Sequence, residues 1–511
     1  MKKFLEFLLI VSLCIIIFGC QIKEEKPIPG GSIRIAWASG LVGLDPSKDW
    51  GCAGAMKLIR MVYSPLYNQE EQEMDITQKL TPTPDYKEWE FVLRKDCYFH
   101  YDPCFAQGNR LVNAYDVKYT YDLIKNNWST LEPVNNIQDI IILDSFRVKF
   151  VLNQPDKNFL NKLNKGMLYI VPFEAREEYG DNFSFHPVGS GPFAFESWNE
   201  KELVLIKNKR FWVRDRWGQK LPYLDKIVII FFPDVNQGIN ALFTGVVDLS
   251  PLTMDVAESF FTKEYGKIGL KKEFAQRFQI IQCPFPSLTV LLFNSRENFI
   301  FRNPVMRRAL NYSINREELK KFLIMPGIKI ADGPTLYPLD DFRYEYNPKK
   351  AVELIKKAGH EKRLKNLKFQ YYPAPFSKAM AQILQRQLYA IGIESELVCA
   401  SRVAVLRGNP EWDFGLVSIL FPDSIPETQL SIYSTQEAPW VDFKSEVFDS
   451  LWDLFKTFPD RSLLVGMDSL VLKNPPFVFL YWSYPMFLAD KRFKGIDPLL
   501  LLTPYIYITN E

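Results

Sequence analysis

The stretch SKAMAQILQRQLYAIGIESELV, residues 377–398, combines the signals of a helix with those of a strand. Ser377 predicts the start of the helix, because its side chain can accept a hydrogen bond from a free amide there. Apolar residues at helical spacing predict the buried side of this helix: Met380, Ile383, Leu384 and Leu388. Gly392 is a residue type that ends helices, and IESELV at 393–398 then predicts a strand.

The same succession of strands and helices occurs elsewhere. SIRIAWA at 32–38 alternates apolar and other residues like a half-buried strand, and KLIRMVYSPLY at 57–67 begins with helical spacing that Pro65 ends. Asn347-Pro348 provides a cap and a first-turn proline, and Gly359 stands where that helix should end. The alternation predicts an α/β protein whose sheets are covered by helices.

Two stretches between these segments add detail. WEFVLRKDCYFHYDP at 89–103 predicts a hairpin with Trp89, Phe91 and Leu93 on one face. Asn113 followed by Asp116 resembles a capping box, with Asp in place of the usual Glu, and predicts a helix from about 114 to 126.

Size and charge limit the possible classes of protein. The chain has 511 residues and 47% hydrophobic content, enough for two or three lobes. Its 62 basic residues nearly cancel its 60 acidic residues, and no long block of one sign occurs. We therefore expect no nucleic-acid partner.

Local motifs of catalysis and metal binding are absent from the sequence. His100, His186 and His360 are too far apart for a helical HxxxH pair, so each is expected to be structural. GxSxG, Walker and GxGxxG patterns do not occur, and Gly189-Ser190-Gly191-Pro192 instead predicts a tight turn with positive φ at the glycines. We expect no enzyme, metal or cofactor, although a nucleophile assembled from distant residues stays open.

The amino terminus has the pattern of an export signal. Lys2 and Lys3 precede an apolar run from Phe7 to Phe18, and Gly19 supplies a small residue before a cleavage point. After residue 20 no uninterrupted apolar stretch reaches the roughly 18 residues that a spanning helix needs. An uncleaved signal anchor is the alternative.

Cysteine usage is compatible with export. Five cysteines follow Cys20, and they are Cys52, Cys97, Cys104, Cys283 and Cys399. An odd number leaves at least one thiol unpaired within the chain. The short segment between Cys97 and Cys104 allows a disulfide, but spacing alone does not establish one.

Ten collinear blocks resemble family 5 of the bacterial extracellular solute-binding proteins, the group that contains oligopeptide- and dipeptide-binding components of ABC importers. The blocks are LDP (44–46), VYSPLY (62–67), WEFVLRKDCYFH (89–100), NAYDV (113–117), HPVGSGPFAFESW (186–198), KNKRFW (207–212), LPYLDKI (221–227), LLFN (291–294), PVMRRALNYSINREEL (304–319) and YNPKKAVELIKKAGH (346–360). The segment Ile17-Phe18-Gly19-Cys20 also resembles a lipobox, in which the cysteine is acylated.

The resemblance implies a bilobed clamshell of the type II periplasmic-binding-protein kind, with an extra third domain. The implied division is a lipoprotein signal peptide at 1–19, a lipidated Cys20 with a tether at 20–31, and an extra domain at 69–175. Lobe I would take 28–68, 176–281 and 488–511, and lobe II would take 282–487. Strands crossing near 277–286 and 484–490 would form the hinge.

The family also implies ligand contacts by position. Backbone contacts fall at Cys52, Ala53 and Gly54 in lobe I, and at Ser418, Ile419 and Leu420 in lobe II. Peptide-binding relatives place an aspartate four residues before a proline, to pair with the ligand ammonium. Here the position four residues before Pro426 is Pro422, and Asp423 follows one residue late. A loop shortened by one residue would still deliver Asp423 to the ligand ammonium, and Asp423 is the residue that the resemblance implies for this contact. Without it the ammonium lacks a counter-charge, which would favour internal, blocked or non-peptide ligands.

The implied function is peptide capture by a lipid-anchored monomer. The protein would be exported, held on a periplasmic or cell-surface membrane by its lipid, and would pass peptides to an ABC permease. A non-peptide solute is one alternative ligand. A surface hydrolase or a non-transporting receptor is an alternative class.

Overall fold

The structure is a computed structural model that describes residues 26–38, 41–48, 53–68, 75–127, 134–166, 168–264, 267–294, 300–339, 341–360, 364–400, 412–438, 441, 443–498 and 501–509, with only the backbone at 53, 54 and 164–166. The strands in chain order are β1 (Ser32–Ala38), β2 (Thr77–Pro82), β3 (Glu88–Leu93), β4 (Ile137–Asp144), β5 (Arg147–Leu152), β6 (Phe193–Trp198), β7 (Glu202–Lys207), β8 (Lys226–Phe232), β9 (Leu249–Leu252), β10 (Phe261–Glu264), β11 (Lys267–Leu270), β12 (Phe278–Gln282), β13 (Ser287–Phe293), β14 (Lys329–Ile330), β15 (Leu367–Tyr371), β16 (Ser395–Cys399), β17 (Phe414–Leu420), β18 (Phe477–Ser483), β19 (Met486–Asp490), β20 (Phe493–Lys494) and β21 (Tyr507–Ile508).

Helices connect and cover these strands. In chain order they are α1 (Ala53–Val62), α2 (Ala114–Asn127), α3 (Phe159–Gly166), α4 (Phe173–Tyr179), α5 (Val235–Phe243), α6 (Met254–Phe260), α7 (Lys272–Ala275), α8 (Pro304–Ser313), α9 (Arg316–Phe322), α10 (Pro348–Ala358), α11 (Pro375–Tyr389), α12 (Pro426–Ser431), α13 (Glu446–Thr457) and α14 (Arg461–Lys473). Short 3-10 turns occur at Val134–Asn136, Gly180–Ser184 and Ile300–Arg302.

The first sheet has the strand order β12-β19-β9-β1-β8-β7-β6. β1 runs parallel to β8 from Ser32 beside Lys226 to Ala38 beside Phe232. The alternation at 32–38 turns Ile33 and Ile35 into the core, where both are buried. This confirms the strand that the sequence predicts there.

The third sheet has the strand order β2-β3-β5-β4. The hairpin that the sequence predicts within 89–103 is not formed. β3 lies between β2 and β5 and is antiparallel to both, so its partners come from outside that stretch. The predicted apolar face is correct, because Trp89, Phe91 and Leu93 are buried. These side chains belong to a core that also holds Ile33 of the first sheet, so the two sheets share one apolar interior.

The second sheet has the order β14-β18-β13-β17-β15-β16 and mixes parallel with antiparallel pairs. Helices cover both of its faces. Leu310 of α8 and Leu384 of α11 pack into one apolar cluster, whereas Phe448 of α13 and Met467 of α14 pack into the other. The α/β prediction with helix-covered sheets is confirmed.

Two short connections join the first sheet to the second. β12 of the first sheet leads through residues 283–286 into β13 of the second, and β18 of the second leads through residues 484–485 into β19 of the first. These connections fall within the segments 277–286 and 484–490 that the family resemblance implies as a hinge.

Helix ends follow the capping signals closely in two cases. Asn347 accepts a hydrogen bond from the Lys350 amide, and Gly359 ends α10 in the left-handed conformation at φ 70°. At the start of α2, Asn113 Oδ1 accepts from the Tyr115 amide, and the Asn113 amide donates to Asp116 Oδ2, both across 2.9 Å. Both predicted helices are confirmed.

The helix predicted from Ser377 begins earlier than expected. α11 starts at Pro375, since a proline at the first helical position has no amide to leave unbonded. The Ser377 hydroxyl oxygen accepts instead from the Tyr372 amide, across 3.1 Å. The helix ends at Tyr389, and Gly392 follows with φ 88°.

The glycines at 189 and 191 serve close packing and not positive φ, contrary to the prediction for this turn. Neither is among the glycines with positive φ. A Cβ on Gly189 would lie 2.1 Å from the Val62 carbonyl oxygen, and one on Gly191 would lie 2.7 Å from the Val62 carbonyl carbon. The Gly191 amide donates to that carbonyl, across 2.8 Å.

Cys97 and Cys104 are both free thiols, so the disulfide that their spacing allows is not formed.

Candidate functional site

A cavity of about 360 Å³ lies between the first and second sheets. Thr253, Met254 and Asp255 line it from the first sheet, at the point where β9 ends and α6 begins. The lining residues from the second sheet and its helices are Thr289, Tyr372, Ala374, Phe376, Ser377, Met380, Leu416, Val417, Ser418 and Tyr481. The volume lies in the usual range for small-molecule sites, roughly 300–1,000 Å³.

One wall of the cavity is the middle of β17, from Leu416 to Ser418. This strand pairs with β13 along its whole length, from Phe414 beside Phe293 to Leu420 beside Ser287. Its parallel pairing with β15 covers only Phe414 and Gly415. Residues 417–420 therefore continue past the end of β15, at the carboxyl ends of two parallel strands, where open α/β sheets commonly bind ligands.

The backbone of this wall has a defined direction. The Phe421 amide donates to the Pro286 carbonyl across 2.9 Å, on the side of β13. Alternate residues of an antiparallel strand direct their amides and carbonyls to the same neighbour, so Ile419 also faces β13. Leu420 consequently turns its backbone groups toward the opposite edge of the strand.

The opposite wall joins α6 to the amino-terminal end of α11. The Phe376 amide, in the first turn of α11, donates to Asp255 Oδ1 across 2.6 Å. Ala374, at the N-cap of α11, supplies no side-chain acceptor of its own. A carboxylate at a helix amino terminus is favourable, because it satisfies a free amide and complements the helix dipole. Asp255 thus caps a helix that belongs to the other sheet.

Hydroxyl groups form the remaining polar surface of the cavity. Thr289 and Ser418 face each other on neighbouring strands, with their hydroxyl oxygens 2.9 Å apart. Burial raises the pKa of Tyr481 to about 12, so its phenol stays neutral near pH 7. The Thr253 hydroxyl is buried and has no hydrogen-bond partner within the described part of the chain. These groups can donate or accept hydrogen bonds without adding charge.

The predicted lobe II contacts divide between the two faces of β17. Ser418 lines the cavity. The Ile419 side chain is buried in the apolar cluster on the other face of the sheet, so only its backbone is available as a contact. The side chain of Leu420 is 46% exposed, just beyond the residues that line the cavity.

Asp423 is engaged within its own loop. Its Oδ1 accepts from the Ile425 amide and its Oδ2 from the Thr428 hydroxyl, both across 2.9 Å, just before and within α12. It is not among the residues that line the cavity. Its pairing with a ligand ammonium stays a prediction.

The predicted lobe I contacts lie at the limit of the described chain. Ala53 and Gly54 form the first residues of α1, and their side chains are not described. Cys52 and Cys20 lie outside the described residues.

Sequence reasoning missed Thr253, Asp255 and Phe376. Asp255 and Phe376 are partners that lie 121 residues apart in the chain, and no local motif surrounds these two residues or Thr253. Phe376 precedes Ser377 in a stretch that already predicts a helix start, which was the one available signal.

Two of the three histidines have structural roles. His100 Nε2 lies 3.0 Å from the Gly191 carbonyl oxygen, and the Gly189 amide donates to His100 Nδ1. Burial lowers the pKa of His100 to about 4, so the ring is neutral near pH 7. His186 Nε2 lies 2.9 Å from Asp102 Oδ2. Neither ring lines the cavity.

The described residues contain no group of three or more His, Cys, Asp or Glu side chains placed to hold a metal ion. Within the same residues, no helix is long and apolar enough to cross a membrane.

Solved structures share this fold. The periplasmic binding protein DppA of Helicobacter pylori, in complex with the peptide STSA, superposes with a TM-score of 0.75 at 23% identity, covering 96% of this chain and 100% of that one. The oligopeptide-binding protein AppA of Bacillus subtilis, in complex with a nonapeptide, superposes with a TM-score of 0.72 at 18% identity, covering 95% and 100%. The fold is therefore that of the type II periplasmic binding proteins, as the resemblance to the family implies.

The family follows from a sequence match. Residues 71–438 match the model of the bacterial extracellular solute-binding proteins, family 5. The chain belongs to this family, whose members are binding proteins and not enzymes. The glutathione-binding protein GsiB of Salmonella choleraesuis is 28% identical over 318 residues, which are 60% of this chain and 58% of GsiB. The match thus spans little more than half the length of that relative.

Proposed function

We propose that this chain is the lipid-anchored substrate-binding component of an ABC importer, and that it captures peptides and delivers them to a membrane permease. The observation that carries the proposal is the cavity between the two sheets, bordered by a strand that continues past its neighbour. A strand in that position offers backbone amides and carbonyls to an extended peptide. Every peptide can form hydrogen bonds with these groups, because every peptide has the same main chain.

The two sheets and their helices act as two lobes. Lobe I takes residues 28–68, 176–281 and 488–511, and lobe II takes 282–487, with 69–175 as the extra domain. The sheet membership of the strands supports this division, since the first sheet contains β1, β6 to β9, β12 and β19. The two short connections at 283–286 and 484–485 serve as the hinge, and closure buries the ligand.

Affinity comes mainly from the ligand backbone. Ser418, Ile419 and Leu420 provide main-chain contacts from lobe II, and Cys52, Ala53 and Gly54 provide them from lobe I. Ligand side chains occupy the rest of the cavity, where bridging water adapts to different shapes. Specificity is therefore broad.

Cys20 carries the lipid, and residues 21 to about 30 tether the folded body to the membrane. The lipobox-like pattern at 17–20 supports this part of the proposal. The protein is exported, acts as a monomer and remains at a periplasmic or cell-surface membrane, near its permease.

Peptides with a free amino terminus are the ligand class that we propose. The relatives named above include proteins described as binding peptides and glutathione, and glutathione is itself a small peptide with a free amino group. A non-peptide solute remains the second candidate. It is favoured by Asp423, whose oxygens are both engaged within lobe II.

Native mass spectrometry of the protein, purified without denaturation, tests the proposal. We expect complexes with one peptide each, seen as a series of added masses that mild activation releases. A single discrete non-peptide mass would support the second candidate. A bare protein that also fails to bind an added pool of peptides would contradict ligand capture.

A further inference from the structure

Asp255 carries the only charge among the described residues that line the cavity. The other lining residues are apolar or bear hydroxyl groups, such as Thr253, Thr289 and Tyr481. A partly buried carboxylate is stabilised by a hydrogen bond or an opposite charge. The described part of the lining is therefore negative, and it suits a ligand that brings a positive charge.

The protein compensates this carboxylate only in part. Asp255 Oδ1 accepts the Phe376 amide across 2.6 Å, at the amino-terminal end of α11. That contact holds the side chain in place from the opposite lobe. It also leaves the net charge unchanged, because the amide is neutral.

The expected partner of a ligand ammonium lies elsewhere. Asp423, one residue late relative to the family pattern, accepts from the Ile425 amide and the Thr428 hydroxyl. These bonds fix its carboxylate at the start of α12, away from the residues that line the cavity. Asp255 is inside the cavity and Asp423 is not.

We propose that Asp255 of lobe I, held by the Phe376 amide of lobe II, pairs with the ammonium group of the bound solute. The proposal rests on the proposed function, because it assigns the residue that selects peptides with a free amino terminus. It moves the charge-recognising group from lobe II to lobe I. Recognition of the ammonium then requires both lobes, since one supplies the carboxylate and the other holds it.

The test uses the full chain and two pools of tripeptides with varied side chains, one with free amino termini and one N-acetylated. Equilibrium dialysis with mass-spectrometric readout gives a dissociation constant for each peptide. We expect the wild type to bind the free pool roughly 10- to 100-fold more tightly than the acetylated pool, as expected for a hydrogen bond between charged groups.

The substitution Asp255→Asn removes the negative charge of the side chain but keeps an acceptor for the Phe376 amide. Asparagine keeps a carbonyl oxygen that can accept the Phe376 amide, but it lacks the charge. We expect this variant to bind both pools equally. Asp255→Ser, which keeps a shorter acceptor, serves if the first variant does not fold. Asp122→Asn is the matched control, because Asp122 is exposed on α2 in the extra domain, and it should keep the wild-type preference.

The outcomes distinguish this proposal from the proposed function. If the wild type binds peptides but Asp255→Asn keeps the full preference for free amino termini, the proposal is overturned and the function stands. If Asp423→Asn alone removes the preference, the ammonium site lies in lobe II and the proposal is also overturned. If the wild type binds neither pool, peptide capture itself fails, and this proposal fails with it.

Discussion

The backbone amide of Cys283 donates a hydrogen bond to the carbonyl of Pro485 across 2.9 Å. This bond joins the two connections between the sheets, at the point where the lobes would rotate. Cys283 is buried, and burial raises the pKa of its thiol. The reactivity of the Cys283 thiol therefore reports whether the proposed hinge is accessible to solvent.

We predict that Cys283 reacts much more slowly with iodoacetamide than Cys399, which is exposed. Only the thiolate reacts, and burial both hides the sulfur and disfavours its ionisation. A time course of alkylation at pH 8, read peptide by peptide by mass spectrometry, measures both rates in one sample. Equal rates would show that the connections between the lobes are open to solvent.

The pH dependence of stability should report on His100. In the unfolded chain the imidazole protonates below about pH 6.5, whereas burial keeps the folded ring neutral down to a pKa of about 4. Unfolding thus takes up a proton between these values, and stability falls as the pH drops from about 6.5 to 4. Protonation would also remove the acceptor that Nδ1 offers to the Gly189 amide.

Urea unfolding at pH 7, 5.5 and 4.5 measures this effect. We expect His100→Gln to be less stable than the wild type at pH 7 and to lose less stability on acidification, with a difference of at most about 1.4 kcal/mol per pH unit. His360→Gln is the control and should follow the wild type. If the unfolding free energies of His100→Gln and the wild type fell equally with pH, His100 would not be the group responsible for the pH dependence.

Arg316 is a buried cation that joins four segments through carbonyl oxygens. Its Nε donates to the Ala331 and Phe479 carbonyls, and its Nη1 donates to the Asn311 and Tyr344 carbonyls, across 2.9 to 3.3 Å. Replacement by alanine would leave several buried acceptors without donors, each costing on the order of 1–3 kcal/mol.

We predict that Arg316→Ala lowers the free energy of unfolding by about 3 kcal/mol or more, and that Arg316→Lys recovers only part of it, since an ammonium lacks the planar set of five donors. Denaturant unfolding checks this. Arg461→Ala removes an exposed arginine from the first turn of α14 and should change stability by less than about 0.5 kcal/mol. A loss of similar size in both variants would contradict the role of Arg316.

Substitutions in β17 test whether its backbone binds the peptide. Leu420 turns its amide away from β13, so Leu420→Pro would remove a donor from the cavity edge without breaking the pairing of β17 with β13. We expect peptide affinity to fall roughly 5- to 10-fold for one lost neutral hydrogen bond, with a small change in stability. Leu420→Ala keeps the amide and should bind peptides as the wild type does.

Ile419→Pro provides the contrasting case. Its amide faces β13, and proline there would remove a hydrogen bond within the second sheet and destabilise the protein strongly. Thermal unfolding and peptide binding, measured on all three variants, separate the two effects. If Leu420→Pro binds peptides with wild-type affinity, Leu420 supplies no backbone contact.

The sequence predicts those parts of the fold that depend on neighbouring residues. Asn347 and Gly359 mark both ends of α10, because capping uses side chains and backbone within one turn. The strand at 32–38 follows from alternation alone. The division into lobes comes only from the resemblance to the family and stays a prediction.

Long-range relationships explain what the sequence did not reveal. The stretch at 89–103 contains the correct apolar face, but the partners of β3 lie at 77–82 and 147–152. The cap on α11 comes from Asp255, 121 residues before Phe376. No periodicity or spacing in the sequence predicts contacts of this kind. The residues that line the cavity come from distant parts of the chain, so the sequence did not predict the cavity.

Small-angle X-ray scattering of the protein, with and without a saturating tripeptide pool, tests the central claim most directly, because the claim is that two lobes close around a solute. We predict that the ligand-free protein has a larger radius of gyration than the protein with bound peptide. An unchanged scattering profile in a sample with bound peptide would contradict closure.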